Sequence, residues 1–312
     1  MSAAADARTE LFIRMRPRLQ ALGYRMLGSV SDAEDVVQEA YVRWSRLDPT
    51  ALDRPEAYLA RIVTRLCLDH LKSARVRRVS YVGPWLPEPL VTDAGWTSEP
   101  VAGLAHDVSY AFMLLLEKLT PLERAAFVLH DVFGLPFEDI GATLARSPAT
   151  CRRLASRARE QLRRREVSPL STSPTSPTSP TSGTEHPVAR VFMDALQSGD
   201  LEALRRALAE DAVLISDGGA KARAARRPIL GRERIARMFA RLSAKSYRPH
   251  RLLPARVNGL PGLVVVTSDG PTGTFALELE GELIRRIYVV RNPDKLRHLA
   301  ATSTLRATRE HL

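Results

Sequence analysis

The sequence predicts a multi-domain protein in which two all-α domains are followed by an α+β domain. The chain has 312 residues, about twice a typical domain length. Apolar residues recur at three- and four-residue spacing over most of residues 10–165, which is typical of helices. After a Ser/Thr/Pro-rich segment, apolar runs bounded by turn residues predict strands as well as helices.

Composition indicates a globular chain with an acidic partner. The sequence is 45% hydrophobic and 26% charged, and 46 basic against 35 acidic residues give a net charge of +11. This balance favours nucleic acid, a membrane surface or an acidic protein, without choosing among them. Two cysteines, Cys67 and Cys151, exclude a disulfide scaffold and an all-cysteine zinc site. No apolar run reaches membrane-spanning length and no signal pattern opens the chain, so we expect a cytoplasmic protein without a membrane partner.

The first domain, residues 8–80, is expected to be helical throughout. Apolar spacing predicts helices in Leu11–Leu27, Val36–Trp44 and Ala57–Leu71. Ser31–Glu34 has the pattern of a capping box, which predicts where the second of these helices begins. The buried stripe of that helix is predicted to contain Val36, Val37, Ala40, Tyr41 and Trp44.

Residues 81–106 are rich in proline and glycine and are predicted to be a connector. Helices resume from Asp107 in a second domain, residues 107–167, where Thr120–Glu123 supplies an N-cap, a proline at N1 and a glutamate at N3. In residues 168–184, 15 of 17 residues are Ser, Thr or Pro. This composition cannot bury a core and predicts an extended tether.

The third domain, residues 185–312, has the pattern of an α+β fold. Helices are predicted in Val188–Gln197, Leu201–Ala209 and Ile235–Leu242, and strands in Arg251–Val257, Gly262–Thr267, Thr274–Leu279 and Leu283–Val290. Helices first and strands after suggest a curved antiparallel sheet.

Phe137–Arg165 carries the most specific local pattern. A helix over Phe137–Ala145 is expected to stop at Arg146, and Ser147 and Pro148 to start another after a tight turn. This predicts a helix-turn-helix whose second helix enters a major groove. Residues 146–165 hold eight arginines and one acidic residue, and guanidinium groups bind phosphates or guanine bidentately. The alternative is a basic helix that is merely soluble.

Two further segments are ambiguous when taken alone. The polar face of Asp32–Arg46 fits an ordinary amphipathic helix as well as a docking surface. Tyr58–Arg78 combines basic and aromatic residues that could hold a single DNA strand, but a basic helix end would look the same.

A resemblance to extracytoplasmic-function (ECF) sigma factors favours a functional interpretation of both segments. Asp32–Trp44 resembles their region 2.2, Arg54–Leu71 their regions 2.3 and 2.4, and Leu119 through the helix-turn-helix their region 4. The resemblance covers nearly all of residues 10–165. It implies an alternative sigma factor that binds the β′ clamp helices and β flap of core RNA polymerase, recognises −35 and −10 promoter DNA and initiates transcription.

The resemblance also implies roles for individual residues. Core polymerase would be bound by Asp32, Asp35, Gln38, Glu39 and Arg43. The −10 element would be contacted by Tyr58, Arg61, Arg65, Lys72, Arg75, Arg77 and Arg78. The −35 element would be contacted by Thr150, Arg152, Arg153, Ser156 and Arg157.

The connector resembles one subgroup of this family. Tyr81–Pro89 is similar to the signature of sigma-J-like ECF factors that carry a C-terminal SnoaL-like domain, and Asp217–Lys221 and Asn292–Leu296 fit the same subgroup. This implies a third domain with a cone-shaped α+β barrel and a pocket. The subgroup's first motif has a third glycine where this chain has Ala220, and glycine would permit positive φ there.

The subgroup resemblance implies regulation in cis, through an interface between the connector and the third domain. Its expected residues are Trp85, Pro87, Glu88, Asp217, Gly218, Gly219, Lys221, Asn292, Pro293, Asp294 and Lys295. No metal, cofactor or catalytic residue is expected, although Asp217, His250 and Asp294 are acid/base candidates should the domain be an enzyme. Lys221, Arg223, Arg226 and Arg227 fit a DNA contact and a solvated loop equally well.

Three functions therefore remain in consideration. The first is the cis-regulated sigma factor, for which a small-molecule ligand in the pocket is left open. The second is a one-component helix-turn-helix regulator with a ligand-binding SnoaL-like domain. The third is a SnoaL-type cyclase or isomerase fused to DNA-binding helices.

Overall fold

Seven helices form the N-terminal part of the chain that the structure describes. The computed structural model describes residues 2–47, 52–79, 81–92, 109–166, 186–243, 247 and 249–300. The helices are α1 (Ser2–Leu27), α2 (Val30–Trp44), α3 (Pro55–Val79), α4 (Tyr110–Leu116), α5 (Pro121–Phe127), α6 (Phe137–Leu144) and α7 (Pro148–Glu166). A π-helical turn, Val128–Val132, continues α5. The predicted tether, residues 168–184, and the end of the connector, residues 93–106, lie outside the described residues.

The two predicted helix starts have different outcomes. The capping box of α5 is confirmed, because Thr120 and Glu123 exchange side-chain and backbone hydrogen bonds. The capping box predicted at Ser31–Glu34 is wrong: Ser29 caps α2, and its Oγ accepts from the N–H of Asp32 at 3.0 Å. Gly28, with φ of 70°, ends α1 so abruptly that the next helix is already under way at residue 30.

The helices of the first unit pack against one another. This unit comprises residues 1–80 and 111–174. Trp44 and Tyr24 are fully buried within it. Arg124 crosses between the helical groups: its buried guanidinium donates to the carbonyl oxygen of Met26 at 2.6 Å and pairs with Glu117 at 2.8 Å. Losing either contact would strand a buried polar group, so this arginine ties α5 to the end of α1.

The second unit comprises residues 81–110 and 175–312. Its helices are α8 (Pro187–Ser198), α9 (Leu201–Ala207), α10 (Arg232–Leu242) and α11 (Arg297–Ala300), with a 3₁₀ turn at Pro293–Leu296. Its strands are β1 (Val91–Thr92), β2 (Leu208–Asp217), β3 (Ile229–Leu230), β4 (Arg251–Val257), β5 (Leu260–Thr267), β6 (Gly270–Glu280) and β7 (Leu283–Val290). In the described residues, no helix of either unit is long and apolar enough to cross a membrane.

The sheet departs from the expectation in three ways. Its order is β1-β4-β5-β6-β7-β2-β3, so the described strands form an open sheet rather than a barrel closed by hydrogen bonds. Strand β2 was not predicted: its first two residues fall at the end of the helix predicted over Leu201–Ala209, and the rest of it had no predicted conformation. It pairs with β7 in parallel, so the sheet is mixed and not purely antiparallel. No hairpin constrains this pair, because α10 and four strands separate its members in sequence.

Aromatic rings fill the space between the sheet and its helices. Phe192 of α8 and Phe239 of α10 meet edge to face at 5.5 Å between ring centroids. Phe275 of β6 lies 6.0 Å from Phe239 and 6.0 Å from Tyr247. All four side chains belong to one buried cluster, which packs the helices of this unit onto its sheet.

Candidate functional site

The helix-turn-helix forms through the turn chemistry of its sequence. Ala145 ends α6 in a left-handed conformation, with φ of 54°. Ser147 then accepts a hydrogen bond from the N–H of Thr150 at 3.2 Å, and α7 begins at Pro148. The face of α7 that packs inward carries Cys151, Ala155, Ala158 and Leu162. The boundaries of both helices agree with the prediction to within one residue.

The outward face of α7 offers unengaged arginines for DNA. Arg153 and Arg157 are exposed and form no ion pair with a described residue, and Ser156 between them is also exposed. Arg152 is partly engaged, since its guanidinium lies 5.4 Å from the ring centroid of Phe137. Arg159 pairs with Asp131 at 2.7 Å and thus anchors α7.

The polar face of α2 is exposed along its whole length. Asp35, Gln38, Glu39 and Arg43 all lie on it, and Glu39 pairs with Arg43 at 2.6 Å. Asp32 is half-buried, with its carboxylate 3.7 Å from the ring of His70.

Tyr41 does not belong to the buried stripe of α2, and that part of the prediction is wrong. It is 38% exposed, and its ring packs 4.8 Å from Phe12 of α1. Together they line a groove of about 490 Å³ between α1 and α2, with Ile13 63% exposed beside it. The contribution of α1 to this surface was not predicted, although the adjacent apolar residues Phe12 and Ile13 are more than one buried stripe of a helix needs.

The residues assigned to the −10 element do not form one free surface. Arg61 lies over the ring of Tyr58 at 5.5 Å, and Lys72 pairs with Asp69 at 2.8 Å. Arg65 donates to the carbonyl oxygens of Ala142 and Thr143 at the end of α6, both at 3.1 Å. The side chains of Arg75, Arg77 and Arg78 lie outside the described residues. In this state Arg65 therefore serves the packing of α3 on α6.

A cluster that we call the clasp joins the connector to the rest of the second unit. It consists of Tyr81, Trp85 and Leu86 from the connector and Asp217, Asn292 and Lys295 from the two loop motifs. Asp217 is completely buried at its centre.

The carboxylate of Asp217 is saturated by donors. Its Oδ1 accepts from the hydroxyl of Tyr81 at 2.5 Å and from the N–H of Gly219 at 3.1 Å. Its Oδ2 accepts from the N–H of Leu86 at 2.8 Å and from the ammonium of Lys295 at 2.7 Å. A buried charge is tolerated only with such compensation, and here two of the four donors belong to the connector.

Lys295 also contacts the connector directly. Only 7% of this residue is exposed, and its ammonium donates to the carbonyl oxygen of Leu86. Its ammonium lies 4.1 Å from the ring centroid of Trp85 and 5.2 Å from that of Tyr81. Desolvated cation–π contacts of this kind favour a fixed aromatic position.

Tyr81 links both loop motifs. Its hydroxyl donates to Asp217 and accepts from Nδ2 of Asn292 at 2.9 Å. Burial, and then the hydrogen bond to the Asp217 carboxylate, raise the pKa of Tyr81 above its ordinary value, so the hydroxyl keeps its proton.

The connector beyond the clasp is also bound to this unit. Leu90 exchanges two hydrogen bonds with Asn258, at 2.9 and 2.8 Å, and β1 then pairs with β4. The ring of His298 lies 2.8 Å from the carbonyl oxygen of Pro89. Pro87 and Glu88 are buried. Asn258 and His298 were not predicted as interface residues, because no local sequence motif marks them. Each bonds to a connector residue more than 160 positions away in sequence.

The two loop motifs contact each other directly. Lys221 pairs with Asp294 at 2.6 Å, and Pro293 opens the 3₁₀ turn that Asn292 caps. A side chain on Gly219 would meet the amide of Asn292, with a Cβ only 2.2 Å from its Nδ2. A Cβ on Gly218 would lie 2.3 Å from the carbonyl oxygen of Ala222. Both glycines are needed for this close approach.

Ala220 adopts the left-handed conformation that glycine would favour, with φ of 61°. The left-handed conformation costs an L-residue about 1–2 kcal/mol. Glycine avoids this cost, but its greater conformational entropy in the unfolded chain lowers the free energy of unfolding by about 0.4–1 kcal/mol. We therefore expect Ala220→Gly to raise the free energy of unfolding of the second unit, by up to about 1 kcal/mol in urea titrations. The matched control Ala222→Gly, at ordinary φ in the same loop, should lower it. If both substitutions are destabilising, the strain at residue 220 is not real.

The three acid/base candidates lie in different surroundings. All four acceptor positions of Asp217 are used within the clasp, and Asp294 is a partly exposed partner of Lys221 and Arg297. His250 lines a separate pocket of about 200 Å³. Among the described residues, no three His, Cys, Asp or Glu side chains are grouped to hold a metal ion.

Comparison with known proteins adds sequence and structural relatives. Residues 11–77 match the family Sigma-70 region 2, and residues 109–162 match Sigma-70, region 4. The chain is similar to the ECF RNA polymerase sigma factor SigJ of Mycobacterium tuberculosis, at 35% identity over 91% of each chain. It is also 32% identical to a probable ECF RNA polymerase sigma factor, SigI, of the same species, over 92% of this chain and 93% of that protein. The crystal structure of SigJ superposes with a TM-score of 0.72, covering 94% of this chain and 99% of that one at 32% identity.

Proposed function

Since this chain belongs to the ECF family of RNA polymerase sigma factors, we propose that its second unit controls promoter engagement in cis by holding the connector. The chain is an alternative sigma factor for transcription initiation. Its family implies core RNA polymerase and promoter DNA as partners. The clasp would control the access of the two sigma regions to their promoter elements, and the protein would act in the cytoplasm together with RNA polymerase.

The observation that carries this proposal is the sharing of Asp217 between the connector and the loop motifs. The connector lies in sequence between the segments that match regions 2 and 4. Two donors from the connector, the Tyr81 hydroxyl and the Leu86 N–H, complete the shell of this buried carboxylate. Releasing the connector would leave Asp217 and Lys295 partly unsatisfied, so the clasp opposes any rearrangement that pulls residues 81–92 away.

Packing within the first unit supports the need for such control. Promoter elements at −35 and −10 are centred about 25 base pairs apart, which is about 85 Å at 3.4 Å per base pair. A compact unit of this size has a radius of gyration of about 15 Å and is about 40 Å across. Arg65 and Arg124 hold the helices of the two sigma regions together inside that unit. We infer that the described state is closed and that the two regions must separate before both elements are bound.

The proposed contacts with polymerase and DNA follow from the exposed surfaces. We propose that the polar face of α2 and the groove beside Tyr41 dock the β′ clamp helices, and that region 4 meets the β flap. Arg153, Ser156 and Arg157 would read the −35 element together with Thr150 and Arg152, while Tyr58, Arg61, Arg65 and the basic end of α3 would open the −10 element. Arg65 can do so only after leaving α6.

We propose a regulatory rather than an enzymatic role for the second unit. Its aromatic cluster packs the helices onto the sheet and supplies no acid or base. Asp217, the most buried acid/base candidate, is committed to four donors. An enzyme would need a positioned acid or base facing a substrate-sized cavity.

The test is run-off transcription from a −35/−10 promoter with the full chain and Trp85→Ala. Removing the ring loses the cation–π contact with Lys295 but leaves the Asp217–Lys295 pair, so the clasp should loosen without collapse of the fold. We expect transcription to change at least threefold while binding to core polymerase stays within twofold. Val82→Ala, at an exposed position of the same connector, is the matched control. Unchanged transcription in Trp85→Ala at equal protein levels would contradict cis control through the clasp.

A further inference from the structure

A small pocket at the mouth of the second unit is lined by groups that the clasp does not use. It is lined by residues of the β5–β6 hairpin, by Tyr247 and His250, which precede β4 in sequence, and by Arg291, which follows β7, and it has a volume of about 200 Å³. Val265 and Phe275 form its apolar wall. Tyr247, His250 and Arg291 supply polar atoms, and none of the described residues that line it is acidic. Its chemistry therefore suits a ligand with one negative charge and a compact apolar body.

Tyr247 is one of the polar side chains that line this pocket. Its side chain is 5% exposed, and its hydroxyl makes no hydrogen bond to another described residue. Burial raises the pKa of Tyr247 to about 12, although the charge of Arg291 opposes this rise. The hydroxyl therefore remains a proton donor at neutral pH. This hydroxyl is not among the described buried side-chain atoms that lack a partner, so it reaches the open side of the pocket, where water or a ligand can accept its proton.

The size of the pocket limits what can enter. At about 30 Å³ per water molecule in the liquid, 200 Å³ corresponds to roughly seven waters. Drug-sized ligands fill pockets of about 300–1,000 Å³, so this pocket matches a smaller molecule. A carboxylate suits Arg291, because a guanidinium presents paired N–H donors to two oxygens. An aromatic ring or branched short chain suits Val265 and Phe275.

Arg291 also connects the pocket to the clasp. Its Nη1 donates to the carbonyl oxygen of Arg223 at 3.2 Å, and its backbone N–H donates to that of Asp217 at 2.7 Å. The next residue, Asn292, holds the hydroxyl of Tyr81. Fixing the Arg291 guanidinium would therefore order the two loops that hold the connector.

We propose that this pocket binds a small aromatic or branched monocarboxylate through Arg291 and Tyr247, and that binding tightens the clasp. The second half rests on the proposed function, since it gives the clasp a chemical signal. Linkage makes the coupling reciprocal: if the ligand stabilises the clasp, then an intact clasp must strengthen ligand binding by the same factor.

The binding experiment uses benzoate as the probe, with calorimetric titration into the full chain. Benzamide has the same shape without the charge and should bind at least tenfold more weakly. Tyr247→Phe removes only the hydroxyl, and Arg291→Gln removes the charge; each should weaken benzoate at least tenfold. The control Arg285→Gln, on the β7 strand that precedes Arg291 and paired with Glu280, should leave the affinity unchanged. No benzoate binding, equal binding of benzamide, or indifference to both pocket substitutions would overturn the site.

A second titration separates the coupling from the site. Tyr81→Phe removes the hydroxyl that Asn292 and Asp217 hold but leaves the pocket intact. We expect it to weaken benzoate at least threefold. An unchanged affinity would overturn the coupling while the site stands. Neither titration measures transcription, so failure of the pocket proposal is distinguishable from failure of cis control.

Discussion

Replacing Lys295 by methionine is expected to destabilise the second unit by about 3–5 kcal/mol. Methionine preserves much of the apolar stem but leaves Asp217 as a buried charge without its cation. The carbonyl oxygen of Leu86 loses a donor at the same time. Urea titration should show the loss of stability, and hydrogen exchange should accelerate at Leu86, whose N–H is bonded to Asp217.

The matched control is Lys221→Met. Lys221 also pairs with a carboxylate of the other motif, but its side chain is 56% exposed, so the expected cost is at most about 1 kcal/mol. The contrast between the two lysines isolates burial as the cause. Equal small effects would mean that the Asp217–Lys295 pair does not hold the connector.

The second large effect is expected from reversing charge on α2. Asp35→Lys combined with Glu39→Lys should weaken binding to core polymerase about 100-fold, or close to 3 kcal/mol, because like charges across a docked interface repel. The fold should survive, since the buried face of α2 is untouched and Glu39 loses only an exposed pair with Arg43. Competition for core polymerase against the wild-type chain measures the loss.

Asp269→Lys with Glu282→Lys provides the control for net charge. Both residues are exposed in turns of the second unit, and the double substitution changes the charge of the chain equally. It should compete for core polymerase as well as the wild type does. If the α2 variant competes equally well, that helix face is structural and docks nothing.

Local features of the fold were predictable because neighbouring residues determine them. The turn before α7 needs only Ser147 and Pro148, and the start of α5 needs only Thr120 and Glu123. The start of α2 was predicted at the wrong serine because Ser29 and Ser31 are both suitable N-cap residues. Ser29 caps the helix because α1 ends at Gly28, which lies outside the Ser31–Glu34 motif.

Tertiary features were predictable only in part. Strand β2 is buried between β7 and β3, so pairing rather than its own alternation determines its conformation. Resemblance indicated the motif loops and Trp85, but nothing in the sequence pairs Asn258 with Leu90 or gives Arg65 a partner at the end of α6. The left-handed conformation of Ala220 is likewise imposed by its loop, because alanine by itself disfavours it.

The central claim, that the clasp controls promoter engagement, is tested most directly by a double-mutant cycle on run-off transcription. Tyr81→Phe acts on the connector and Asn292→Ala on the loop motif, and both break the 2.9 Å hydrogen bond between them. With core polymerase saturated, the account predicts that each substitution changes transcription in the same direction and that the double variant adds little to either. Single variants with wild-type transcription, or effects that add as if independent, would contradict it.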